Sequence, residues 1–87
     1  MSWSIHKLGT QAGLLTALEE ESARLTGQSK AEFDAALPAL RTLVEQAAGG
    51  AADVVSIMGN GHMHTDSQGA VHRHLDITVR SVGAFVG

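Results

Sequence analysis

The 87-residue chain is long enough for one domain, residues 1–87, and a chain of this size buries only roughly 60% of its unfolded surface. It contains no cysteine, which excludes disulfides, thiolate zinc sites and cysteine nucleophiles, and a net charge of -3 with six Lys and Arg argues against nucleic-acid binding. The sequence shows neither a signal peptide nor an apolar run long enough to span a membrane, so we expect a soluble, cytoplasmic protein without a membrane partner.

A strand is predicted at the start of the chain. Residues 1–8 alternate in polarity and place Trp3 and Ile5 on the same side. Gly9 is expected to end this strand, and the side chain of Thr10 can cap a following helix. The strand therefore has one apolar side that other elements must cover.

Two amphipathic helices are predicted next. The first is expected over residues 11–26, with Gly27 as a left-handed C-cap. The second is expected to begin at a capping box made by Ser29 and Glu32, and to be kinked or restarted at Pro38. Apolar residues recur at helical spacing in both segments, so each helix has a stripe to bury.

Residues 54–82 predict a long antiparallel hairpin. Asp66 suits the first position of a type I turn and Gly69 the left-handed position after it, which pairs Asp66 with Ala70. In this register one face of the hairpin is mostly polar and the other mostly apolar. A slip of one residue would mix the two faces, so the pattern predicts the register as well as the strands.

The order strand, helix, helix, strand, strand indicates an α+β fold. We expect two helices on one face of a small three-stranded sheet that ends in the hairpin. The first strand returns to the hairpin through both helices, so parallel pairing with a hairpin strand is possible, and the sequence does not indicate which edge it joins. The apolar tail, residues 82–87, either extends the last strand or brings Phe85 beside the helices.

Four of the five histidines lie in the hairpin as two His-x-His pairs. Residues two apart on a strand project to the same side, and directly opposed residues have Cβ atoms ~4.5–5.5 Å apart. Neutral imidazole is a good ligand for zinc, copper or nickel. Asp76, one row further along, can serve as a fourth donor or fix the tautomer of an imidazole. The predicted site for zinc or another divalent transition metal therefore comprises His62, His64, His72, His74 and Asp76.

The same histidines fit two other interpretations. They can be the ordinary polar residues of a solvent-facing sheet, which is the commoner case. They can also form a contact surface that responds to mildly acid pH, because the unperturbed pKa of histidine is ~6.5. Nucleophilic catalysis is not expected: Thr65 and Ser67 are turn hydroxyls, and so small a domain has little room for a pocket. No catalytic residue is predicted, and the protein is expected not to be an enzyme.

The chain is rich in Ala, Gly, Val and Thr, and it carries Gly61-His62 and a closing strand with the sequence Leu75-Asp76-Ile77-Thr78-Val79. In these features it resembles small proteins encoded by phages of actinobacteria. Some of those are virion components and others bind host proteins. The resemblance implies an interaction protein located in a host cytoplasm or a virion, and it carries over no site residues.

Two functional classes follow. The first is a non-enzymatic structural or interaction protein, a homo-oligomer or a binder of a protein partner, that docks through its sheet edges or histidine face. A thin core and exposed edge strands favour this class. The second is a small metal-binding module that uses the histidine cluster. Metal content and mass in solution distinguish the two.

Overall fold

A computed structural model describes residues 2–50 and 53–84 of the chain. The elements are β1 (Ser2–Thr10), α1 (Gln11–Arg24), α2 (Gly27–Ala47), β2 (Asp53–Thr65) and β3 (Val71–Ala84). The strands form one antiparallel sheet in the order β1-β2-β3, and both helices pack on the same face of it. The predicted α+β fold, with two helices on a three-stranded sheet and a terminal hairpin, is confirmed.

β1 pairs with β2 in the antiparallel sense, and Thr10 lies opposite Val54. The parallel pairing that the connection left possible is therefore wrong. The reason is the number of helices in the connection. α1 carries the chain away from the end of β1, α2 brings it back, and β2 starts beside Thr10 and runs the opposite way.

The junction of the helices differs from the sequence prediction. α1 ends at Arg24, and Gly27, with φ of +61°, begins α2 instead of capping α1. The N-cap of α2 is Thr26, so Ser29 lies within the first turn and the predicted capping box is wrong. Glu32 does not reach back to the helix start because it lies on the buried side of α2.

The start of α1 agrees with the prediction, because the Thr10 hydroxyl accepts a hydrogen bond from the Gly13 N–H at 3.3 Å. The preceding strand is not ended by Gly9, which lies within β1. α2 runs without interruption through Pro38, so the helix is not restarted there.

The hairpin of β2 and β3 has the predicted register over most of its length. Its turn is closed by hydrogen bonds from the Asp66 N–H to the Ala70 oxygen at 2.9 Å and from the Gly69 N–H to the Asp66 oxygen at 3.1 Å. Gly69 has φ of +85°, as the turn requires. A β-bulge then adds one residue to β3, so Val54 pairs with Gly83, one residue beyond its predicted partner.

The core lies between the helices and the inner face of the sheet, which we define as the face toward the helices. Phe33 is fully buried and meets Trp3 edge to face, with 5.1 Å between ring centroids. Trp3 in turn lies against Gly61, which has no side chain to displace it. The remaining fully buried large side chains are Leu18, Leu40, Val44, Val55 and Ile57.

The hairpin extends past β1, whose first described residue, Ser2, pairs with His62. The molecule is accordingly elongated, with extents of 53 × 21 × 16 Å. Two apolar side chains on the inner face of β3 are left exposed, Val71 at 60% and Leu75 at 56%.

Phe85 and the end of the tail fall outside the described residues. Within the part of the chain that the structure describes, no helix is long and apolar enough to cross a membrane.

Candidate functional site

The outer face of the sheet, opposite the helices, carries the four hairpin histidines. His64 lies opposite His72 and His62 opposite His74, as the register predicted. All four side chains are exposed. The exposed histidine cluster is therefore a confirmed feature of the fold, produced by the two-residue period of each strand and by the turn that sets the register.

Three of these histidines form a group that could hold a metal ion. One ring nitrogen from each of His62, His64 and His74 lies within 4.8 Å of the other two. The ring of His74 stacks on those of both others, with 4.8 Å between centroids and interplanar angles of 17° to His62 and 10° to His64. Of the five predicted ligands, the structure thus places the ring nitrogens of three close enough together to share one ion.

The other two predicted ligands, His72 and Asp76, are not members of that group. The Nε2 of His72 lies 2.8 Å from a carboxylate oxygen of Asp66. Asp76 lies opposite Asn60, one row beyond the histidine pairs, and faces solvent. His72 is thus held by the turn residue Asp66, although its ring still stacks on that of His64 with 5.2 Å between centroids. Asp76 is left for another contact.

Asp66 has a second role that the sequence analysis missed. Its carboxylate accepts hydrogen bonds from the backbone N–H groups of Gln68 at 2.8 Å and Ala70 at 3.0 Å, in addition to its contact with His72. The contact with His72, then these backbone bonds, lower the pKa of the Asp66 carboxyl. The turn signal alone identified Asp66, and only the side-chain conformations show that it also orients an imidazole.

The pKa of His64 is lowered from its ordinary value. Partial loss of hydration among the neighbouring side chains is the first cause, and repulsion from the imidazoles of His74, His72 and His62 follows. At neutral pH this histidine is therefore neutral, which is the form that binds a metal ion.

The ring geometry is not yet that of a metal complex. A ligand lone pair lies in the plane of the imidazole, so parallel rings do not aim their nitrogens at one point. Tetrahedral zinc with Zn–N bonds of ~2.0–2.1 Å would need nitrogens about 3.3 Å apart, against the observed limit of 4.8 Å. Binding would require the exposed rings to turn about their side-chain bonds and move together.

Because the folded chain protonates His64 less readily than the unfolded chain does, acid pH should destabilise the metal-free fold. The unfolded state takes up the proton near pH ~6.5, and stability then falls as pH decreases toward the lower pKa of the folded state. We expect the melting temperature of protein treated with a chelator to fall between pH 7.5 and pH 5.5. His64→Gln should reduce this fall more than His6→Gln does, and equal pH dependence in both variants would contradict the assignment.

Comparison of the chain with protein-family models, with curated proteins and with solved structures finds no match.

The free side of β3 is the second candidate site. β3 has 14 residues and, over the described part of the chain, pairs only with β2. The turn bond between Asp66 and Ala70 sets the alternation of the ladder, since hydrogen-bonded and non-hydrogen-bonded pairs alternate along an antiparallel pair. The even-numbered residues 72–80 therefore point their backbone groups toward β2. The odd-numbered residues, such as Ile77 and Val79, point theirs away from the sheet.

Two opposite charges lie along this free edge. Asp76 and Arg80 are both exposed on the outer face. Four residues of strand separate their Cα atoms by about 13 Å, too far for a direct ion pair. Their partners on β2 are Asn60 and Ser56, which are uncharged.

Proposed function

We propose that this protein is a non-enzymatic structural or interaction protein that self-associates through the free edge of β3. The observation that supports this most is an unpaired edge strand with outward backbone groups and separated opposite charges. Such an edge is a template for pairing with another strand unless it is covered or interrupted. Self-association also adds buried surface to a domain whose own core is small.

The chemistry of the edge favours one register for two copies. In a two-fold antiparallel pair, residues of the same parity face each other, and the pairing is the same seen from either copy. If Thr78 lies opposite Thr78 of the second copy, Asp76 faces Arg80 of that copy, and Arg80 faces its Asp76. Both pairs are on the outer face and are non-hydrogen-bonded pairs, whose side chains approach more closely.

The same register also satisfies the backbone and the inner face. Ile77 lies opposite Val79 of the second copy, and both residues direct their N–H and C=O groups outward. These two positions would exchange both backbone hydrogen bonds and place apolar side chains together beside the core, which they already border. Other two-fold registers lack this ion pair. A pair centred on Asp76 sets that residue against itself, and pairs centred on residues 75, 77 or 79 set it against a histidine or an uncharged side chain.

The proposal accommodates the resemblance to phage proteins. A small chain that dimerises through a strand edge can serve as a virion component, and the same edge can instead capture an extended strand of a host protein. Either role places the chain in a virion or a host cytoplasm. Neither role calls on catalysis or on a nucleic acid.

A charge exchange tests the proposed register. Arg80→Asp would place a carboxylate opposite Asp76 of the second copy at two symmetry-related positions, and we expect it to weaken the dimer at least about tenfold. The double variant Asp76→Arg with Arg80→Asp should restore association, because the attraction is rebuilt with its signs reversed. The measurement is the mass in solution by analytical ultracentrifugation.

Lys7→Asp is the matched control, because it makes the same charge change on β1, the opposite edge of the sheet. It should leave association unchanged. If Arg80→Asp associates as well as the unmodified chain does, or the double variant stays as weak as the single one, this register is wrong.

We also propose a second candidate function, a metal-binding module in which His62, His64 and His74 hold zinc or a similar divalent transition metal. The proximity of their ring nitrogens supports it. Three histidine ligands leave a fourth tetrahedral position for water or a partner's side chain. Asp66 would keep His72 outside the ligand set through its contact with that imidazole.

Single alanine variants test this ligand set. Untagged, chelator-treated protein is titrated with zinc by calorimetry. His62→Ala, His64→Ala and His74→Ala should each lose stoichiometric binding, whereas His72→Ala should retain it. Absence of zinc binding in the unmodified protein would contradict the metal function. Equal losses in His72→Ala and His74→Ala would contradict the three-histidine set and favour the full quartet.

A further inference from the structure

A small cleft lies on the inner side of the hairpin, between α2 and the end of the sheet that projects beyond it. Its volume is ≈ 60 Å³, which is room for several water molecules or one small organic group. Its apolar lining includes Trp3, Ala36, Met63 and Leu75, and its ionisable lining includes Glu32 and Arg73. A small apolar cleft with few polar groups has the character of a ligand site.

Glu32 is the unusual member of this lining. Its side chain is on the buried stripe of α2, and the residue is only 8% exposed. Both carboxylate oxygens are inaccessible to solvent and have no hydrogen-bond partner among the residues that the structure describes. An ionised carboxylate is costly to bury unless a cation or hydrogen-bond donors accompany it. The fold therefore leaves an acidic group unsatisfied beside an open apolar volume.

We infer that this cleft binds the cationic group of a small organic amine. The ammonium would supply to Glu32 the charge and the hydrogen-bond donors that the fold does not. A short alkyl stem fits the apolar walls, and Trp3 in that lining is the side-chain type whose ring attracts cations most strongly. Because both Glu32 oxygens are inaccessible to solvent in the structure, a lining side chain must move before the ammonium can reach them. Met63 borders this cleft and a neighbouring hollow that Glu32 also lines, and methionine is flexible enough to move aside.

Arg73 is the internal competitor for Glu32. It lines the same cleft and is exposed, and its guanidinium does not bond to the Glu32 carboxylate. Arg73 pairs with Met63 across the hairpin, so its long side chain starts close to the cleft. A stable ion pair between Arg73 and Glu32 in solution would fill the role assigned to the ligand.

Trp3 is the only tryptophan of the chain, so its fluorescence reports on the cleft without labelling. We would titrate the protein with n-butylammonium and with n-butanol, which shares the alkyl stem but carries no charge. The ammonium should produce a saturable change in the fluorescence of Trp3, and the alcohol should not. Glu32→Gln should weaken the ammonium about 10- to 100-fold, as expected for loss of a hydrogen bond to a charged group. Glu20→Gln, which removes an exposed carboxylate from α1, should bind like the unmodified chain.

Three results would overturn this inference. The first is a titration with n-butylammonium that does not saturate or that n-butanol reproduces. The second is equal affinity in Glu32→Gln and Glu20→Gln. The third is a drop in melting temperature on Arg73→Gln that disappears when Glu32→Gln is also present, since this coupling would show that Arg73 already pairs with Glu32.

Discussion

Phe33→Ala is expected to destabilise the fold by about 3–5 kcal/mol. Phe33 is fully buried, and its ring on α2 packs edge to face against Trp3 of β1. A domain of this length has a total stability of roughly 4–13 kcal/mol. The melting temperature should fall by more than about 12 °C. If the total stability lies at the lower end of that range, a large fraction of the chain should be unfolded.

The measurement is thermal unfolding followed by circular dichroism at one fixed protein concentration, because self-association adds to apparent stability. Leu43→Ala is the matched control, since Leu43 lies on the same helix and is exposed. This substitution should change the free energy of unfolding by no more than about 0.5 kcal/mol, as is usual for surface positions. Similar losses in both variants would contradict the placement of the core beneath α2.

Gly61→Ala is expected to destabilise the fold by about 1–3 kcal/mol through overpacking. A Cβ at this position would lie 2.6 Å from the Nε1 of Trp3 and 2.8 Å from the Cδ2 of Leu75. The indole is buried between β2 and Phe33, so it has little freedom to move away. The smaller unfolded-state entropy of alanine would offset only about 0.4–1 kcal/mol of this cost.

Gly50→Ala serves as the control for that change, because a Cβ there meets no atom within 4 Å. It should be neutral or slightly stabilising. Both variants are compared by melting temperature and by the fluorescence of Trp3, which only Gly61→Ala should alter. A Gly61→Ala variant as stable as Gly50→Ala would show that Trp3 does not lie against β2 as described.

The hairpin was predictable because several local signals agree. The turn residues Asp66 and Gly69 set one register, and the alternation of polar and apolar residues selects the same one. That agreement is enough to place His62 opposite His74 from the amino-acid order alone. The bulge near Val54 was not predictable, because the alternation there is apolar on both faces and does not penalise an added residue.

The sequence alone could not give features that depend on distant contacts. Whether β1 runs parallel or antiparallel to β2 depends on how the two helices reverse the chain between them. The residues of β1 itself do not determine it. Ser29 and Glu32 have the spacing of a capping box, but burial against the core takes precedence and Glu32 points inward. Glu32 lies four residues before the buried Ala36. This helical spacing was the signal in the sequence that Glu32 shares the buried face of α2.

The histidine cluster shows the same limit at the level of side chains. Strand pairing brings four imidazoles together, but it does not determine how the rings turn. The contact between His72 and Asp66 depends on how an exposed imidazole and a half-buried carboxylate turn, and that carboxylate is already held by the backbone N–H of Gln68. The division into a group of three and a fourth histidine held at the turn therefore emerges only from the structure.

Edge pairing and metal binding centre on different parts of the sheet and share one residue, His74, which the proposed register sets opposite Val82 of the second copy. The proposed strand pair is centred on Thr78, whereas the three candidate ligands lie nearer the turn. Asp76 is the residue between them: the sequence pattern assigns it to the metal, and its exposed position beside the free edge suits an intermolecular ion pair. Zinc titration of Arg80→Asp would show whether the two properties are independent.

Sedimentation equilibrium of the unmodified, untagged chain in the presence of a chelator tests the central proposal most directly. Edge pairing through β3 predicts a dimer with twice the 9.1 kDa mass of the chain, which dissociates on dilution and is weakened by Arg80→Asp. A mass of one chain at every concentration would contradict self-association, and the free edge of β3 would then be a site for a different partner.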